Sequence, residues 1–220
     1  MNSFINLLLL LFTLPTMLMA IFVGFDLPVE FLGVSGNALP YKIQIFLGLG
    51  MLLLAIGLWR VTRRWMGIRM TKQVQKFKWN VAISSSRKSR VITYTLLESL
   101  LFFSLGFGYM ALTEDAWFPT LAMFVLGVES LIFLVVNSKN NFRIGLTSKA
   151  ILASDREVIL IYLKGLRQVS ISQQTVYFDY IENLQLTFPT DCIPEDQRNE
   201  FFETLRGQLD KNRVLFRLES

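Results

Sequence analysis

The sequence predicts an α-helical membrane protein with four transmembrane helices in two hairpins. A C-terminal cytoplasmic α+β domain follows, an antiparallel sheet with one C-terminal helix. Three observations carry this expectation. Hydrophobic residues make up 52% of the 220 residues, and the mean hydropathy is +0.44. The apolar residues gather into four runs, near 4–25, 41–59, 91–112 and 117–137, each long enough to cross a ~30 Å hydrocarbon core as a helix. From residue 138 onward, polar and apolar residues mix as in a soluble domain, close to the lower size limit for independent folding. The expected organisation is a hairpin over 1–62, a basic cytoplasmic loop over 63–90, a second hairpin over 91–137 and a domain over 138–220.

The first run is read as a retained helix rather than a cleaved signal peptide. Its leading "MNSF" carries no Lys or Arg, and the apolar stretch exceeds a usual signal-peptide core. Lys and Arg crowd the segment between the second and third runs, and no acidic residue occurs from 31 to 97. The opposite loops hold Asp26, Glu30, Glu114 and Asp115. Excess Lys and Arg mark the cytoplasmic side, so both termini and the basic loop are expected in the cytoplasm of a cell with an inner membrane. Tyr41, Trp59, Trp65, Tyr94, Tyr109 and Trp117 fall near the span ends, where amphipathic rings favour the interface.

Arg60, Arg63, Arg64, Arg69, Lys72, Lys76 and Lys78 are candidate contacts for anionic lipid head groups. A nucleic-acid role is not expected, because no nucleic-acid motif accompanies them. Within this loop "KFKWNVAI" alternates polar and apolar residues. It is read as either a short strand or an interfacial helix.

Two carboxylates interrupt the apolar runs. Glu98 lies about seven residues into the third helix, ~10 Å from its cytoplasmic start. Glu129 lies about eight residues from the end of the fourth, ~12 Å deep. A short outer turn makes the two helices antiparallel neighbours, so both carboxylates reach nearly the same depth. Each is followed by a serine, Ser99 or Ser130. Ionised carboxylates at this depth are unfavourable. Three solutions are open: a proton retained on at least one, hydrogen bonds from the serines, or Arg60 or Arg63 reaching down from the second helix. A lock between helices, a proton or cation site and a substrate site are the corresponding roles. Gly48, Gly50, Gly57, Gly106, Gly108 and Gly127 are expected to let helices approach closely.

After residue 138, "FRIGLT", "AILAS", "VILIYL", "QVSISQ", "TVYFDYI" and "NLQLTF" alternate as strands. Pro194, with Glu195 and Asp196, suits a first helical turn. Phe201, Leu205 and Leu209 then recur at helical spacing, Phe202 widens the stripe, and Arg206 and Lys211 stand near the far end. "VLFRL" is a candidate final strand.

The segments "LTSKAILAS", "IYLKGLRQVSI", "NLQLTF" and "PEDQRNEFFETLRGQL" resemble bacterial PH-like domains that follow membrane hairpins, and the C-terminal domain of YcxB-like membrane proteins. Leu163, Leu166 and Val169 fill the Leu-x-x-Leu-x-x-Val strand pattern of such domains. The resemblance covers roughly residues 138–220 and implies a PH-like fold there. Lys149, Arg156, Lys164 and Arg167 are the basic residues nearest a PH-type pocket. Asp155 and Glu157 lie among them, and the tail holds eleven basic and eleven acidic residues.

The chain has no His and one cysteine, Cys192. Ser-His-Asp and Cys-His catalysis, His/Cys zinc sites and internal disulfides are therefore excluded. No cofactor or metal is expected. The expected function is a non-enzymatic membrane scaffold or adaptor whose PH-like domain binds another protein or itself. The alternative is a small oligomeric channel or proton/ion-coupled transporter using Glu98 and Glu129. Expected partners are membrane lipids and protein, not nucleic acid.

Overall fold

A computed structural model describes residues 2–30, 33–139, 141–172, 174–181, 184–209 and 214–218. The expectation for Lys211 falls outside these. The chain divides into two compact units, each assembled from two separated stretches. One is Met1–Thr62 with Tyr94–Val135; the other is Arg63–Thr93 with Val136–Ser220.

Four helices, α1 (Asn2–Gly24), α2 (Lys42–Thr71), α3 (Ser85–Leu112) and α4 (Trp117–Asn137), match the four apolar runs. All four are long and apolar enough to cross a membrane. Two run further than their apolar segments. α2 continues to Thr71, because the arginines that end an apolar run are good helix formers and no Pro intervenes. α3 starts at Ser85, where the Ser84 hydroxyl accepts from the Arg87 N–H at 3.2 Å as an N-cap does.

Within the helical unit α4 is the hub. Half of its apolar window is buried, against 22%, 22% and 28% for α1, α2 and α3. Leu53, Phe46, Tyr109, Met123 and Leu126 form the centre of the core. Glycines set the closest approaches. A Cβ on Gly50 would stand 2.6 Å from Phe118, and one on Gly57 2.5 Å from Leu126, so both hold α2 against α4. Gly106 meets Phe124 and Gly127 meets Phe103, between α3 and α4. Gly48 has open space, and Gly108 makes only ordinary contact with Met17. Tyr109 is fully buried and donates its hydroxyl to the Thr13 carbonyl of α1 at 3.2 Å. It is a core residue rather than an interfacial anchor, unlike the exposed Tyr41, Trp59, Tyr94 and Trp117.

Between α1 and α2, β1 (Pro28–Val29) and β2 (Val34–Ser35) form a small antiparallel pair. Lys42 pairs with Asp115 at 2.7 Å, joining the start of α2 to the α3–α4 turn.

The second unit is built on two four-stranded sheets. β3 (Trp79–Ala82), β4 (Arg143–Leu146), β5 (Ala150–Ser154) and β6 (Val158–Tyr162) are antiparallel in that order. β7 (Leu166–Ser172), β8 (Thr175–Tyr180) and β9 (Gln185–Pro189) form an antiparallel meander. β10 (Leu215–Leu218) joins its edge parallel to β7. The single antiparallel sheet expected from the strand pattern is thus two sheets with one parallel pairing. A parallel pair needs a long return connection, which includes α5 (Arg198–Gln208).

The segment read as a basic loop supplies β3. Trp79↔Leu146 and Val81↔Ile144 pair it with a strand more than sixty residues later. The strand reading of "KFKWNVAI" holds. Phe201 and Leu205 of α5 are fully buried, and the Phe201 ring lies 5.1 Å from that of Trp79 and 6.1 Å from that of Phe188. Leu209 is buried just past the helix end. Cys192 is 2% exposed, and burial pushes its thiol up to about 12, so it is a packing residue.

Candidate functional site

Glu98 of α3 has its counter-charge inside the helical unit. Arg60 of α2 donates Nη1 to Oε1 and Nη2 to Oε2, both at 2.5 Å. The fork geometry makes this among the stronger charge-assisted contacts. Ser130 of α4 donates to the same Oε1 at 3.2 Å. Ser99 donates to the Gly127 carbonyl of α4 at 3.0 Å. One carboxylate therefore draws on α2 and α4 together. Of the solutions the sequence left open, the structure uses the arginine and the serine of the opposite helix at Glu98. Glu129 is half-buried, one residue before Ser130. Arg60 lies just beyond the apolar run but within α2, which continues to Thr71, and reaches Glu98 from there as one of the expected solutions.

The seven cations between 60 and 78 divide. Arg60 is committed to Glu98, Arg64 is 3% exposed and Arg63 is half-buried. Arg60 and Arg64 are thus not free surface cations. Arg69, Lys72, Lys76 and Lys78 are exposed, as are Met66, Met70 and Val74. Arg87 and Arg90, in the first turns of α3, are structural. Arg87 Nε holds Asp155 Oδ2 at 2.9 Å, and Asp155 is 5% exposed. Arg90 pairs with Asp191. Burial would raise the Asp191 carboxyl, but Arg90 outweighs it and holds the group below its ordinary value. Ser84 donates to the Asp191 carbonyl at 2.6 Å, and its N–H reaches the Cys192 carbonyl at 2.8 Å.

The sheet unit also carries an open groove of about 980 Å³. Lys149 comes from the β4–β5 turn, Lys164 from the β6–β7 turn and Arg167 from β7. Gly165, with φ +85°, makes the tight turn between Lys164 and β7. Tyr162, Leu163, Leu166, Ile181, Leu209 and Val214 supply the apolar wall. The Tyr180 hydroxyl donates to the Tyr162 carbonyl at 2.6 Å, tying β8 to the end of β6 here. A smaller groove of about 420 Å³ adjoins through the shared Arg167.

The four basic residues singled out near a PH-type pocket do not stay together. Lys149, Lys164 and Arg167 line the groove, whereas Arg156 pairs with Glu157 at 3.4 Å. Neither acidic residue among them pairs with the three groove cations: Asp155 is held by Arg87 and Glu157 by Arg156. No carboxylate lines the larger groove among the described residues. Nothing in residue spacing pointed to this segregation. Among the described residues no group of three His, Cys, Asp or Glu stands ready for a metal ion. Comparison with family models, curated proteins and solved structures finds no match for the chain.

Proposed function

We propose that the chain is a non-enzymatic integral membrane scaffold, with its four helices as anchor and its sheet unit as a cytoplasmic, PH-like protein-binding module. The observation that carries this reading is the groove on the sheet unit, whose mix of apolar wall and a few convergent polar groups is the usual make-up of a binding site. The consecutive antiparallel runs β3–β6 and β7–β9, followed by the amphipathic α5, support the PH-like reading, to which β10 is an addition after the helix.

The pairing of β3 with β4 supports the topology. If α3 and α4 both cross the bilayer, the segments before and after them emerge on one side. The Lys and Arg excess then makes that side the cytoplasm, at the inner membrane of a bacterial cell. Exposed Arg69, Lys72, Lys76 and Lys78 would meet anionic head groups. The Arg60–Glu98–Ser130 contacts favour a lock between helices as the role of the intramembrane carboxylate. They favour it over the alternative of a proton or ion pathway through Glu98 and Glu129.

Photo-crosslinking tests the reading. A photoreactive side chain is placed at Tyr162, Ile181 or Leu18 of the full chain in native membranes. A defined protein adduct from Tyr162 or Ile181, absent from Leu18, is the expected result. No protein adduct from any exposed position of the sheet unit would overturn it. A pH-dependent ion flux in proteoliposomes that Glu98→Gln abolishes would favour the transporter instead.

A further inference from the structure

We propose that the large groove is the docking site for an acidic segment of a partner protein. That stretch presents carboxylates to Lys149, Lys164 and Arg167 and seats an apolar side chain against Tyr162 and Ile181. The inference rests on the adaptor reading and names the partner's chemistry.

Charge is the first argument. Among the described residues Lys149, Lys164 and Arg167 form no ion pair, whereas Arg87, Arg90, Arg156 and Arg198 of the same unit each do. Asp155, Asp191, Glu157 and Glu195 are taken up by internal pairs, and Lys149, Lys164 and Arg167 line one concavity that no described carboxylate lines. Complementary potential is what steers and selects a partner at such a surface.

The apolar groups are the second argument. Tyr162 is 58% and Ile181 72% exposed, so both project from the groove rather than packing into the core. Aromatic residues and Arg are enriched at the centres of protein interfaces, and Tyr and Arg are typical hot spots. The groove is open: Tyr162 and Ile181 stand at its surface, and Leu163, Leu166 and Leu209 are buried in its wall, so no sleeve encloses an acyl chain. That geometry favours an extended protein segment over a lipid tail. Ser148 and Gln208 add hydrogen-bonding groups along the wall.

The test selects a random peptide display library on the full-length protein in phosphatidylcholine nanodiscs, with empty nanodiscs as the subtraction. A synthetic copy of the winning peptide is then titrated by fluorescence anisotropy. The expected winners are rich in Asp and Glu around an apolar anchor. Their affinity falls about tenfold or more in the triple variant K149E/K164E/R167E, and falls with added salt. Y162A weakens binding while leaving the salt dependence in place. All four positions are exposed, and an unchanged melting temperature confirms that the variants fold.

Winners without acidic enrichment, or acidic winners indifferent to the triple reversal, overturn the groove assignment and leave the adaptor reading standing. No enrichment over empty nanodiscs removes both. The same titration is run with free phosphate and with phosphatidylglycerol nanodiscs in place of peptide. Binding of either that the triple reversal abolishes, without an acidic peptide winner, assigns the groove to an anion or lipid and overturns the proposal.

Discussion

Arg60 in the helical unit and Lys149, Lys164 and Arg167 in the sheet unit are cations beside apolar side chains, yet they are used differently. Arg60 is consumed by Glu98, and Ser130 completes the contact. The groove cations have no ion-pair partner among the described residues. No acidic residue occurs from 31 to 97, around Arg60, whereas Asp155 and Glu157 fall between Lys149 and Lys164, so nearness in sequence suggests the opposite pairing. A charge that is satisfied internally holds a fold together; one that is left unsatisfied at a concave, half-apolar surface is available to another molecule.

The comparison breaks most directly at the arginine fork. Arg60→Ala leaves the largely buried Glu98 carboxylate without its cation, and should destabilise the helical unit by about 3 kcal/mol. Replacing both partners, as Arg60→Met with Glu98→Leu, should recover most of that loss, because an apolar pair removes the uncompensated charge. Unfolding of the wild type, Arg60→Met, Glu98→Leu and the double variant in detergent, as a double-mutant cycle, measures the coupling. A coupling near zero would mean that the fork is no lock.

Ser130→Ala removes one neutral donor to Glu98 Oε1 while the arginine stays. A loss of about 1 kcal/mol is expected in the same assay, well below the arginine effect. Equal losses would put the serine, not the guanidinium, at the centre of the contact.

Asp191 offers a smaller effect in the sheet unit. Its carboxyl is held below its ordinary value of 3.8. The pair with Arg90 therefore contributes stability above that value, and the contribution fades as pH falls through the lowered one. Solvent screening keeps it to a few tenths of a kcal/mol. Asp191→Asn should cost a few tenths of a kcal/mol at neutral pH, a loss that disappears as the pH falls below ~4, as followed by Trp fluorescence during urea unfolding.

Lys164→Glu, Lys149→Glu and Arg167→Glu should each change stability by no more than about 0.5 kcal/mol. A larger loss would show that these side chains carry internal contacts after all, and would erase the contrast with Arg60.

Much of the fold was legible because its signals are local. The four apolar runs became α1 to α4, and the fourth matched its expected bounds. The alternating segments after 138 became β4 to β9, and Phe201 and Leu205 took the buried face of α5. The boundaries that moved did so where hydropathy and helix propensity part company. The residues from Arg60 to Thr71 are too charged for an apolar run but remain helical. Tyr109 looked interfacial by position and proved to be core, because its place in a span does not reveal which neighbour it faces.

The sequence by itself determined the number and type of the long helices, the strands of the tail and the absence of histidine- and disulfide-based chemistry. These follow from run length, periodicity and composition, which each segment carries alone. Only the tertiary structure decided that β3 joins β4 across two helices, that Arg60 and Ser130 answer Glu98, and that Arg156 leaves the cluster formed by Lys149, Lys164 and Arg167. Such choices depend on helix rotation, strand register and the competition of several carboxylates for several cations. Those are relations between distant segments, and no local pattern encodes them.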